Sequence, residues 1–359
     1  MSILLAFLLP SHNPYISDLR DHFSSQGQFA ELTFSAVPLE TLFKHLPLLR
    51  QPGYPLETYN ALDDAVLVDS FHGPFTGLFV LIVYRSLLGQ LVLAVSGTSS
   101  IKQALQDLRI IRCPHPSGRG SVHTGFWTIY KDVKDQAISA IQKGVATNHS
   151  VREIVLTGHS MGGSIAYLLC LELFADHMKW LKDLNINIKV VAFGVPRTGD
   201  AALVDYFREL CLSYKKVQGQ DAFKEYSVKG YNDGKLSQTC LCNLSALFWE
   251  ILSPLDETGV PALPLASLGY RHFCKDPLYT SNGVLYNTPP TESEYSLFHV
   301  KDEGGEYDVH APIFPLGGHN YYNGRDMEGF VRRTNWLFQA KPMEVDWEDR
   351  YMTIVSKMK

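Results

Sequence analysis

Long apolar runs, basic blocks and internal repeats are all missing from this chain, and each absence narrows what it can be. The apolar start Met1-Ser-Ile-Leu-Leu-Ala-Phe-Leu-Leu-Pro10 is too short to span a bilayer and lacks the positive flank of a secretory signal. It is expected to pack on the core, and no transmembrane segment is expected elsewhere. Lys and Arg number 32 against 37 Asp and Glu, a net charge of -5 without basic clusters. That argues against a nucleic-acid surface and against a polybasic membrane tether. The six cysteines are Cys113, Cys170, Cys211, Cys240, Cys242 and Cys274. Their spacing fits no metal site, and Cys170 lies on an apolar helical face, so buried free thiols are expected. The sequons Asn148-His-Ser150 and Asn243-Leu-Ser245 keep secretion open beside a cytoplasmic location.

What is present is an ordinary globular composition, 45% hydrophobic and 12% aromatic over 359 residues, enough to build one large core. Residues 1–359 are read as a single domain, with an N-terminal helical segment over 1–70 broken by Gly27 and by prolines near Pro47 and Pro52. Leu78–Tyr84 and Gln90–Ser96 are β-rich and flank Ser86–Gly89, the pattern of a hairpin. Gly125–Lys143 repeats its apolar residues with helical spacing. Strands are expected over Ile186–Phe193 and Tyr214–Gln218, with a helix over Ala201–Leu212 between them. Strands alternating with helices imply a mainly parallel sheet covered on both faces, with ligand sites at the carboxyl ends of its strands.

The most informative segment is Val155-Leu-Thr-Gly-His-Ser160-Met-Gly-Gly163. A β-branched run stops at Gly158, and helical spacing begins with Ile165, Leu168, Leu169 and Leu173. A serine at the apex of a strand–turn–helix, with glycines on both sides, is the G-x-S-x-G nucleophile elbow of an α/β-hydrolase. As a bare string the motif is weak; the flanking strand and helix make it strong. Ser160 is the candidate nucleophile, and the elbow makes the Met161 N–H one oxyanion donor. A serine hydroxyl needs a base and an orienting carboxylate, which in this fold follow in the order Ser, acid, His. Asp221 and Asp256 compete for the acid, and Asp221 is favoured as the residue closing the expected strand Tyr214–Gln218. His272, His299, His310 and His319 compete for the base; His319 lies in the glycine-rich Pro315-Leu-Gly-Gly-His-Asn-Tyr-Tyr322 before the last helix.

Over roughly residues 75–338 the chain resembles the fungal, class 3 lipase family of α/β-hydrolases. Four segments carry the resemblance: Val95-Ser-Gly-Thr-Ser-Ser-Ile101 through Asp107-Leu108, Val122-His-Thr-Gly-Phe126, the elbow, and Phe193-Gly-Val-Pro-Arg-Thr-Gly-Asp200. Ser96 stands where the family usually has Arg, and the usual lid Trp is missing. The resemblance implies Thr98 as the second oxyanion donor and His319 as the base. It implies an acid about 26 residues past the Pro-Arg pair; Asp221 lies 25 past Pro196, and Asp256 lies 60 past it. Val260-Pro-Ala-Leu-Pro264 and Gly269-Tyr-Arg-His272 match family segments that normally follow the acid at once, which gives His272 a structural place. The chain between, about 222–259, is therefore read as an insertion: loop over Lys224–Gln238, then an apolar cap over Cys240–Leu252.

Ile101, Ala104, Leu105 and Leu108 form an apolar stripe, and 101–108 is expected to be a short lid. Leu105, Leu247, Phe248 and Trp249 are the expected acyl-contacting residues. The implied activity is serine carboxylic-ester hydrolysis of acylglycerols or related lipid esters at a lipid–water interface, through an acyl-enzyme, without metal or cofactor. The alternatives are an aryl or feruloyl-type esterase and a catalytically silent binding protein. Oligomeric state is left open.

Overall fold

The computed structural model describes residues 25–97, 111–230, 260–281, 284–288, 293–294, 318–322 and 325–358. The helices are α1 (25–32), α2 (Leu39–Lys44), α3 (Leu46–Leu49), α4 (Thr124–Thr147), α5 (Met161–Asp176), α6 (Met178–Asp183), α7 (Ala201–Gln218), α8 (Met327–Gln339) and α9 (Trp347–Met358). The strands are β1 (Ala65–His72), β2 (Phe79–Arg85), β3 (Gln90–Val95), β4 (Arg112–Pro114), β5 (Ser121–His123), β6 (Glu153–His159), β7 (Asn187–Phe193), β8 (Gly199–Asp200), β9 (Phe223–Gly230), β10 (Tyr270–Arg271), β11 (Leu278–Ser281), β12 (Val284–Asn287), β13 (Tyr321–Tyr322) and β14 (Arg325–Asp326).

Eight strands form the main sheet in the order β1-β2-β3-β6-β7-β9-β11-β12. The middle of it, β3 through β11, is parallel, and antiparallel pairings close it at β1–β2–β3 and at β11–β12. Strands β2, β3, β6 and β7 are buried almost from end to end, which is why their sequences are near-continuous runs of Val, Leu, Ile and Ala. One face packs on α4, α5 and α7 through residues such as Tyr130, Ile141, Leu169 and Phe207. The other packs on the N-terminal helices and on α8 and α9 through Phe29, Leu42, Phe330 and Tyr351. A small second sheet, β10-β8-β5-β4, lies apart from it.

The hairpin β2–β3, the helix α4 and the strand β7 fall where the sequence places them. Three expectations are corrected. The N-terminal segment is not helical through residue 70, because β1 starts at Ala65 and pairs with β2. Tyr214–Gln218 is not a strand but the last turns of α7. Leu203, Phe207, Cys211 and Tyr214 are buried on one helical face, and Gly219, at φ 101°, ends the helix by donating its N–H to the Lys215 carbonyl. Nor does an insertion begin at 222: Phe223–Gly230 is β9, paired in parallel with β7. Its charged residues Glu225 and Lys229 are interior because they have partners. The Glu225 carboxylate takes a hydrogen bond from the Arg208 guanidinium, and the Lys229 ammonium donates to the Ser293 carbonyl at 2.6 Å. The extra chain is therefore confined to 231–259, and the expected cap over Cys240–Leu252 lies outside the described residues. Among the described residues no helix is long and apolar enough to cross a membrane.

Candidate active site

Strand β6 ends at His159, and α5 begins at Met161, so one residue makes the whole turn. That residue, Ser160, has φ 57° and ψ -126°, a backbone state that costs an L-residue of order 1–3 kcal/mol and persists only where packing dictates it. The packing is visible in the two flanking glycines. A Cβ on Gly158 would meet the Gly162 carbonyl carbon at 2.4 Å, and one on Gly162 would meet the Val95 carbonyl oxygen at 2.2 Å. Helix α5 is thus pressed directly against the ends of β3 and β6, and the Ser160 N–H is tied to the Phe193 carbonyl at 2.8 Å. Met161 is the first residue of α5, where N–H groups have no intrahelical acceptor and face the positive end of the helix dipole.

His319 sits in the short turn Gly318–Asn320 and is 5% exposed. Its carbonyl is 2.6 Å from Nε2 of His159, and the two rings lie with centroids 4.5 Å apart. The elbow and the glycine-rich segment, 160 residues apart in sequence, are therefore in contact beside Ser160. Gly194, at φ 58° past the end of β7, is required here: a Cβ would strike the Tyr322 hydroxyl at 2.0 Å and His319 Cε1 at 2.9 Å. Burial, then the neighbouring His319, hold the His159 pKa well below the usual histidine range.

Asp221 is a correction. It lies in the turn Gln220–Ala222 before β9, at the amino edge of the sheet, with its side chain 87% exposed and paired with Lys224 at 3.0 Å. Phe223 is level with Ile188, and Ile188 with Ile154. Five strand residues, about 17 Å, separate that level from His159. The cause is α7: running six residues past Leu212, to Gln218, it returns the chain to the opposite edge before β9 starts. Asp221 is not within reach of His319.

Thr98, Leu105, Leu247, Phe248, Trp249 and the 101–108 stripe lie outside the described residues, as do Asp256, His299 and His310. His272 is buried, and its Nε2 stands 3.3 Å from Lys229 Nζ. Burial, then Lys229 and Arg197, push its pKa well down, so it is a neutral partner in a buried polar cluster. In that cluster Arg197 donates to the Glu294 carboxylate at 2.6 Å and to the Pro264 carbonyl at 2.9 Å. The His272 N–H donates to the other Glu294 oxygen at 3.4 Å. The cluster joins β9, the segment 260–264 and residues 293–294 at the carboxyl edge. Sequence reading missed it, as it missed His159 and Gly194; the Pro-Arg pair was the one available signal.

Residues 92–228 match the family described as lipase (class 3). The chain is similar to a lipase of Rhizomucor miehei, with 29% identity over 34% of this chain and 32% of the relative. It is also similar to the secreted mono- and diacylglycerol lipase A of Penicillium cyclopium, with 30% identity over 53% of this chain and 48% of the relative. These sequence matches span a third to a half of the relatives' lengths. The fold extends further: lipase II from Rhizopus niveus superposes with a TM-score of 0.58 over 88% of this chain and 97% of that one, at 15% identity. The elbow, its strand, its helix and the Pro-Arg segment all fall inside the residues that match the class 3 lipase family, and the fold around them is that of the solved lipases.

Proposed function

We propose that the protein is a serine carboxylic-ester hydrolase that cleaves acylglycerols or related lipid esters through an acyl-enzyme. The observation that carries the reading is Ser160, held at a left-handed turn at the carboxyl end of a central strand, with buried His319 against the residue before it. In this reading Ser160 Oγ attacks the ester carbonyl while His319 takes its proton. The N–H groups of Met161 and Thr98 receive the developing oxyanion. Collapse breaks the C–O bond, and His319 returns the proton to the departing alcohol. Water, activated by the same histidine, then releases the fatty acid. The names of the relatives, lipases and a mono- and diacylglycerol lipase, support lipid esters over aryl esters.

With Asp221 at the wrong edge, we assign the acid to Asp233. It follows Gly230, the carboxyl end of β9, by three residues. It is the first acidic residue in the sequence after the carboxyl end of that strand, the kind of position from which an acid can orient the base.

The test is stoichiometric labelling by a fluorophosphonate, followed by hydrolysis of p-nitrophenyl and glyceryl esters of increasing chain length. The expected outcome is one label per chain, lost in Ser160→Ala, with turnover of long-chain glyceryl esters. No labelling of folded protein would overturn the enzyme reading in favour of a silent binding protein. Labelling with turnover of aryl or feruloyl esters alone would overturn the lipid assignment.

A further inference from the structure

We propose that His159 is a positioning residue for the base, holding the His319 peptide in place through a hydrogen bond from its Nε2–H to the His319 carbonyl. This rests on the reading of Ser160 and His319 as nucleophile and base, and it adds a residue that reading does not need.

The bond fixes the chemistry of the ring. A carbonyl oxygen only accepts, so at 2.6 Å the hydrogen must be on Nε2 of His159. In the neutral ring Nδ1 is then a bare acceptor, and in the structure Nδ1 is buried with no hydrogen-bond partner. Protonating it would create a buried donor with nothing to receive it, next to a ring that must itself become positive during the reaction. His159 is 4% exposed, and the titratable side chains packed on it are His319 and Tyr322, with ring centroids at 4.5 Å and 5.5 Å. Phe34 closes another side at 6.0 Å. Burial, then the neighbouring His319, lower the pKa of the ring, which favours the neutral form that donates this one bond.

The placement explains why a histidine suits this position. His159 is the last residue of β6, on the rigid side of the elbow, so its bond references His319 to the strand that sets Ser160. His319 stands in a turn of three residues, too short to orient itself. On its far side Gly194 leaves room for the His319 ring and no more. Among the contacts of the base, the bond from His159 is the one that ties its peptide to the strand carrying Ser160, beside the Gly194 backbone and the rings of His159 and Tyr322. Losing that bond removes the reference between the base and the elbow while the ring contacts remain. Displacement of a catalytic group by about 1 Å commonly costs about a hundredfold in rate.

Three measurements on the full chain test this. His159→Phe keeps an aromatic ring and removes the donor. It should remain folded, bind a soluble short-chain ester with unchanged KM, and lose about 10- to 100-fold in kcat and in the rate of fluorophosphonate labelling. His159→Gln places an amide N–H at similar reach and should recover most of that loss, which a purely space-filling role would not predict. On the unmodified protein, long-range 1H–15N spectra of the histidines should show one ring fixed as the Nε2–H tautomer and silent to titration from pH 5 to pH 9. That ring should disappear in His159→Phe or His159→Gln. A His159→Phe enzyme as fast as the parent overturns the proposal. So does a His159 ring that titrates, or that carries its proton on Nδ1, and this spectrum decides the matter even if the variants do not fold. Ser160→Ala, run alongside, separates the two layers: a variant that still hydrolyses and labels sinks the assignment of the nucleophile, whatever His159 does.

Discussion

Strands β6 and β9 flank the same neighbour, β7, yet they are interior for different reasons. β6 reads Ile-Val-Leu-Thr and is buried because its side chains are apolar. β9 reads Phe-Lys-Glu-Tyr-Ser-Val-Lys, and its second half is just as buried because its charges are matched. Burial in this sheet is a property of position, and two kinds of sequence satisfy it. One of them announces itself in the amino-acid pattern; the other does so only when the partners Arg208, His272 and Ser293 are known.

The sharpest difference is chemical. If the residue after β6 is the nucleophile, as proposed, Ser160→Ala should lower ester hydrolysis by at least about ten-thousandfold without changing the thermal midpoint by more than a degree or two. A smaller loss would move the reaction away from the elbow.

Next comes stability. Leu156→Ala on β6 and Glu225→Ala on β9 should each cost about 3 kcal/mol in denaturant unfolding, the first by leaving a cavity and the second by leaving Arg208 buried without its carboxylate. Replacing Arg208 and Glu225 together by Met and Leu should restore most of the second loss and none of the first. If Glu225→Ala costs less than about 1 kcal/mol, the charges of β9 are solvated and the comparison fails.

A pH series adds a smaller term. His159 at the end of β6 and His272 against β9 are both held neutral by burial. Their folded pKa values are lowered, so below the unfolded value of about 6.5 the unfolded chain binds protons that the folded one refuses, and stability falls as pH falls. Each site contributes a slope of up to about 1.4 kcal/mol per pH unit. Unfolding free energies measured from pH 7.5 to 5 should show that decline, and His159→Phe should remove one share of it. A flat profile would mean that these rings accept protons in the folded state.

The smallest effect is expected at Asp221. An exposed carboxylate paired with Lys224 at the amino edge should be replaceable by Asn with unchanged kcat and unchanged unfolding midpoint. Asp233→Asn should behave like a lost triad acid, and the pair of results would locate the third group.

The elbow was legible because three independent signals coincide within nine residues: an apolar strand, glycines where a Cβ has no room, and a helical repeat. The place of His319 beside the elbow was suggested by its glycines and its position before α8. The acid was misread through a single local error. Tyr214 and Val217 look like strand residues in isolation, but Tyr214 belongs to the stripe Leu203, Phe207, Cys211, and only the longer window shows a period near 3.6. Once α7 was cut short, Asp221 fell at the wrong end of the next strand, and β9 itself was taken for loop because its charges hid their partners.

The cluster of Arg197, Lys229, His272 and Glu294 has a consequence for how such a protein can diversify. It pins the chain at Lys229 and at Pro264, on both sides of 231–259, so the two ends of that stretch are held in one place. Between ends held in this way, doubling the length of a connecting chain adds only about 0.6 kcal/mol of closure entropy. A change of length between these two anchors is therefore of almost no thermodynamic expense to the sheet, and selection on what the proposed site accepts can proceed there without renegotiating the fold.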